Sequence, residues 1–145
     1  MNRLSFAVLL SLYCCLSGLS GCGSSNDGPE RYDVSGSINY KGEPLESGRI
    51  TFVPDAEKGN EGPVGYAMIK GGKYDTGASG GKGTVAGAIQ ILITGYDFTA
   101  TGSKEIRPPL FEDYQATAEI DAAQSETTLD FDVPATAASK KQAGR

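Results

Sequence analysis

Ala88-Ile89-Gln90-Ile91-Leu92-Ile93-Thr94-Gly95-Tyr96 is the most apolar stretch of the chain after residue 21. A Gly-rich connection, 77–87, leads into it, and a long loop, 97–115, containing Arg107-Pro108-Pro109, leads out. A short apolar run between turn signals reads as a buried strand, and it is expected at the centre of a sheet. No helical period of useful length occurs after residue 21, so the rest of the fold has to come from strands.

Six further strands are expected around it. Residues 32–40 alternate, with Tyr32, Val34, Ile38 and Tyr40 on one face. Lys41-Gly42-Glu43-Pro44 is turn chemistry. Residues 49–53 form the next strand, which Pro54 stops because proline has no N–H for the ladder. A charged loop, 55–63, precedes a strand over 64–69. Lys70-Gly71-Gly72-Lys73 then turns tightly into a short strand at 74–76, a hairpin. Beyond the long loop come strands over 116–121 and 127–133, the latter with Leu129, Phe131 and Val133 inward and Asp130 and Asp132 outward. Seven short strands with regularly spaced turns predict an all-β sandwich. Residues 134–145 are rich in Ala, Lys and Ser and are expected to be a disordered tail.

The N-terminus has a different composition. Arg3 supplies a positive charge, residues 4–16 are uncharged and apolar, and 17–21 are mostly small. That is the layout of a secretory signal helix removed after residue 21. The apolar stretch, about 13 residues, falls short of the roughly 20 that span a bilayer. Leu19-Ser20-Gly21-Cys22 resembles the bacterial lipobox: an aliphatic residue, small residues that admit a peptidase, and a Cys thiol that accepts a diacylglyceryl group. Each buried methylene adds about 0.8 kcal/mol of membrane affinity, so two or three acyl chains hold firmly. Cys22 is therefore the expected lipidation site and membrane lipid its partner. Cys14 and Cys15 lie in the removed segment, leaving no pair for a disulfide. Residues 22–31 read as a flexible tether reaching roughly 15–18 Å. Without an acidic residue at Gly23, the outer membrane is expected if the cell has two.

The net charge is −5, and no basic cluster exceeds Lys140-Lys141. A nucleic-acid partner is not expected, because neutralising phosphates needs a basic face. The chain holds no His, which removes the commonest general base and metal ligand together. No cofactor is expected.

Val34-Ser35-Gly36-Ser37-Ile38-Asn39-Tyr40-Lys41-Gly42-Glu43-Pro44-Leu45, followed by Gly48-Arg49-Ile50-Thr51-Phe52-Val53-Pro54, resembles the opening of carboxypeptidase regulatory-like domains of small bacterial lipoproteins. Lys70-Gly71-Gly72-Lys73-Tyr74 is similar to that family's Gly-x-Tyr hairpin, and Gly87-Ala88-Ile89-Gln90-Ile91 to its Pro-Gly-x-Tyr-x-Val segment, with Ala86 and Ile89 departing from the favoured Pro and Tyr. Residues 108–114 and 129–133 resemble its later segments. Covering roughly 33–133, the resemblance implies a transthyretin-like Greek-key sandwich and a non-catalytic accessory role. No zinc motif transfers without His.

Three motifs carry chemistry on paper. Gly77-Ala78-Ser79-Gly80-Gly81 matches a nucleophile elbow, but that device needs a strand-to-helix turn and a His. Ser79-Gly80-Gly81-Lys82 matches a Ser-Lys dyad, with two glycines opposing the rigidity it needs. Asp121, Asp130 and Asp132 resemble a calcium site without the six or more oxygens calcium takes. The expected function is a non-enzymatic, lipid-anchored envelope module contacting an envelope protein. The alternatives are a carbohydrate- or small-ligand-binding domain and, more remotely, a Ser-Lys hydrolase. Tyr96, Phe98, Phe111 and Tyr114, in and around the long loop, are the expected contact surface, because loops at sandwich ends often bind.

Overall fold

The computed structural model describes residues 28–97 and 109–137. The expected signal segment, Leu19, Ser20, Gly21 and Cys22, most of the tether and Phe98 lie outside the described residues. Nine strands form: β1 Asp33–Tyr40, β2 Glu43–Pro44, β3 Ser47–Pro54, β4 Gly65–Lys70, β5 Lys73–Asp75, β6 Gly87–Gly95, β7 Phe111–Ile120, β8 Glu126–Thr128 and β9 Phe131–Val133. They run in the order β2-β1-β5-β4-β3-β6-β7, with β8 and β9 both on β1. The sheet is mainly antiparallel and curled. Only the β1–β8 and β1–β9 pairs are parallel.

Period-two alternation sets the inside of the curl. Ile50 and Phe52 on β3, Ala67 and Ile69 on β4, and Ile89, Ile91 and Ile93 on β6 are fully buried, while Arg49, Met68 and Gln90, in the opposite phase, are exposed. Val34, Ile38, Tyr74, Phe111, Ile120 and Val133 complete one core. Each such side chain contributes roughly 1.5–3 kcal/mol by leaving water. β6 is flanked on both sides, as its composition predicts, but it lies next to the edge strand β7 rather than at the middle of the sheet.

The Lys70–Lys73 hairpin forms as expected. Gly71 and Gly72 have φ of 55° and 74°, the double left-handed step of a two-residue turn.

Nine strands replace the expected seven for local reasons. Glu43–Pro44, read as a turn, pairs with Tyr40 and Asn39 as a short edge strand, where proline is tolerated. The single strand expected over 127–133 is broken at Leu129-Asp130. β8 and β9 keep the same register on β1, Asp33 opposite Glu126 and Ile38 opposite Phe131. Between them the Asp130 carboxylate, not a backbone carbonyl, accepts from the Ser37 N–H and Oγ–H, each at 2.7 Å. Asp130 is thus a ladder partner rather than only a solvated charge.

The long loop is shorter than expected, since β7 starts at Phe111. A register shift at Ile93/Gly95 and a φ of 50° at Asp113 break the alternation there, which hides the strand from a period-two reading. At the chain's far end, 135–137 make a helical turn and Ala137 packs against the core, so the tail expected from 134 is ordered to Ala137. At the near end, the Arg31 guanidinium donates to the carbonyls of Val64 and Gly83, docking the last tether residue on the domain.

Candidate functional site

One end of the sheet carries a half-open groove of about 320 Å³, whose lining includes Tyr40, Glu43, Leu45, Tyr96, Asp97 and Leu110. Three strand ends build it. β1 delivers Tyr40. Lys41, with φ of 57°, and Gly42 turn the chain into β2 and bring Glu43 and Pro44 alongside. Leu45, 2% exposed, pins this turn: its N–H donates to the Ile38 carbonyl at 2.9 Å and its carbonyl accepts from Gly72 at 2.9 Å. The opposite wall follows β6. The Tyr96 N–H donates to Ser47 at 2.9 Å and the Leu110 N–H to Gly95 at 2.8 Å, which fixes both residues against the sheet.

Tyr40 and Tyr96 are the aromatic residues of the lining. The Tyr40 ring lies 4.9 Å from that of Phe111, and the Lys41 ammonium sits over Tyr40 at 4.9 Å. Glu43, Glu46 and Asp97 give the rim acidic character. Rings beside carboxylates suit stacking on a flat face combined with hydrogen bonds to hydroxyls or a cation.

The four contact residues expected from sequence separate. Tyr96 lines the groove. Phe111 does not contact solvent: at 2% exposure it is a core residue supporting Tyr40 from beneath, seated over Gly95, where a methyl group would meet its ring at 2.5 Å. Tyr114 is half-buried against the core. Glu43, Glu46 and Leu110 were not expected at a contact surface. Their only local signal is the Lys41-Gly42 turn, which says nothing about the strand end it faces.

Ser79 is exposed in a turn closed by the Gly81 N–H on the Ala78 carbonyl, 2.9 Å. Lys82 is exposed, and its backbone bridges Tyr66 at 2.8 Å in both directions. The two are not on a helical turn. Gly81–Ala86 leads into strand β6, not a helix.

The expected carboxylate trio also disperses into local roles. Asp121 accepts from the Ala123 N–H at 2.9 Å, and Asp130 holds Ser37. The two Ser37 hydrogen bonds lower the Asp130 pKa below the usual aspartate value; burial opposes them in part, and the Lys73 charge adds a smaller lowering. Burial, followed by the Asp130 charge, pushes the Tyr74 hydroxyl well above the usual tyrosine range. That hydroxyl donates to the Leu129 carbonyl at 2.7 Å. Among the described residues, no group of three or more His, Cys, Asp or Glu is placed to hold a metal ion.

Comparison with known proteins brings no match: no family model fits the chain, and no curated protein or solved structure resembles it significantly.

Proposed function

We propose that this chain is a non-enzymatic, lipid-anchored module of the cell envelope that meets an envelope protein through the Tyr40–Tyr96 groove. The observation that carries the reading is the groove itself, which brings Tyr40 and Tyr96 together with Glu43, Glu46 and Asp97 where the ends of β1, β2 and β6 meet. Support for the anchor comes from the apolar segment 4–16 and Leu19-Ser20-Gly21-Cys22. The curled sheet around one core supports a transthyretin-like Greek-key arrangement, and the segments quoted above support kinship with carboxypeptidase regulatory-like domains. Fold alone does not assign a role, so the functional reading rests on the groove and the anchor. Ser79 on an exposed turn, not on a helix, favours a non-catalytic reading over a Ser-Lys hydrolase.

Cross-linking in intact cells, comparing wild type with Cys22→Ala and with Tyr96→Ala, tests this reading. The expected result is one reproducible protein captured by wild type and lost in both variants. Capture of nothing by wild type counts against it.

The groove volume favours a second reading. At about 320 Å³ it lies within the range of small-ligand pockets, and tyrosine with carboxylates is a sugar-binding chemistry. A glycan array blank at millimolar sugar would remove this alternative. Labelling of Ser79 by an acylating serine probe would instead restore the hydrolase.

A further inference from the structure

The outer face of β4, β3 and β6 carries an apolar patch bordered by cations. Register sets Met68 beside Arg49, Tyr66 beside Thr51, and Thr51 beside Leu92, all pointing away from the core. Met68 is 48% exposed, and Val64, just ahead of β4, is 41% exposed. No other large apolar side chain among the described residues is as open to water. Tyr66 and Leu92, half-buried, extend the patch.

Cations stand beside its apolar side chains, and the acidic residues of this face, Asp113 and Glu119, lie at its β7 border. The Arg49 guanidinium lies over the Tyr66 ring at 5.1 Å. Lys70 follows Met68 by two residues and projects from the same face. Lys82 is bridged to Tyr66, which puts its side chain on that side too. No Asp or Glu occurs in β3, β4 or β6. By contrast, residues 109–137 hold seven acidic side chains and no basic one. Arg49, Lys70 and Lys82 thus share this face in a chain of net charge −5.

The point where the chain enters the domain lies beside the same patch. Arg31 donates to the Val64 carbonyl at 3.3 Å and to that of Gly83, so the segment leading back to Cys22 leaves the domain next to Val64. About nine residues span at most roughly 30 Å even when fully extended, which keeps this side of the domain near the membrane.

We infer that this face docks on an anionic bilayer surface, with Val64 and Met68 entering the headgroup region and Arg49, Lys70 and Lys82 meeting lipid phosphates. Apolar side chains at the acyl boundary, ringed by cations drawn to anionic headgroups, are what an interfacial surface requires. The inference rests on the lipid-anchored reading and adds to it an orientation, with the outer face of β3 and β4 turned to the lipid.

The test uses the full chain in the membranes of the cells that make it, with a photo-reactive amino acid at position 68 and, in a control, at position 132. The expected result is a phospholipid adduct at 68 in clear excess over 132, falling roughly tenfold or more in Arg49→Glu/Lys70→Glu/Lys82→Glu. The acyl mass on Cys22, read from the same sample, reports the anchor separately. An acylated Cys22 with no more lipid adduct at 68 than at 132 overturns the docking and leaves the anchor standing. A bare Cys22 with the lipid adduct still formed at 68 sinks the anchor and upholds the docking. A polypeptide adduct at 68 in place of lipid overturns the docking in favour of a protein contact.

Discussion

Gly36 and Leu129 are in backbone contact: a methyl group on Gly36 would lie 1.9 Å from the Leu129 carbonyl oxygen. This closeness lets the break between β8 and β9 nest against β1, with the Leu129 N–H donating to Ser35 at 2.9 Å and Asp130 reaching Ser37. Gly36→Ala therefore forces two backbones apart. We expect a loss of about 3 kcal/mol or more, beyond ordinary overpacking, measured by urea unfolding. A Gly36→Ala protein as stable as wild type would show that the strands are not in this register.

The Asp130–Ser37 bond makes stability depend on pH in a defined direction. The folded-state pKa of Asp130 is lowered, so its stabilisation is fully present above the ordinary aspartate value and is lost as pH falls through the folded value. Asp130→Ala is expected to lower the thermal midpoint at neutral pH, with the gap to wild type closing below about pH 4. Asp130→Asn keeps an acceptor oxygen and should fall between them. A gap that widens in acid contradicts the assignment.

Phe111 and Glu43 lie on opposite sides of the division between core and groove. Phe111→Ala, removing a ring that is 2% exposed, should cost about 3–5 kcal/mol in thermal or urea unfolding. Glu43, exposed on an edge strand, should change stability by no more than about 0.5 kcal/mol when replaced by Ala. The same Glu43→Ala protein should show weakened capture of the groove's partner. Normal capture with normal stability would exclude Glu43 from the contact.

Thr84 is fully buried, and its hydroxyl has no hydrogen-bond partner among the described residues. A desolvated hydroxyl costs roughly 1–3 kcal/mol, and valine has nearly the same shape. Thr84→Val should therefore raise the thermal midpoint by several degrees in calorimetry. A drop would reveal a partner for the hydroxyl.

Strands whose alternation is uninterrupted are legible in the sequence. β3 and β4 read correctly because one face of each is buried and a single period runs their length; β6 reads as a strand because its apolar run stands between turn signals. Leu129, Phe131 and Val133 continue the alternation straight through a break made by the Asp130 side chain, so nothing in the residue pattern marks it. Phe111 is lost behind Pro108-Pro109 and the Glu112-Asp113 pair, where the strand changes phase. The groove was half legible. Tyr96 stands out beside an apolar run, but Tyr40 and Glu43 join it only because β1 and β6 end at the same edge of the fold. No local signal encodes that meeting.

The parallel pairing of β1 with β8 and β9 also imposes an order in time. Ser37 finds Asp130 across 93 residues of chain, so β1 keeps one side open until nearly all of the domain has been synthesised. Contacts this distant in sequence form late and slowly. A ribosome-bound chain therefore cannot finish its sheet until residues 126–133 have emerged.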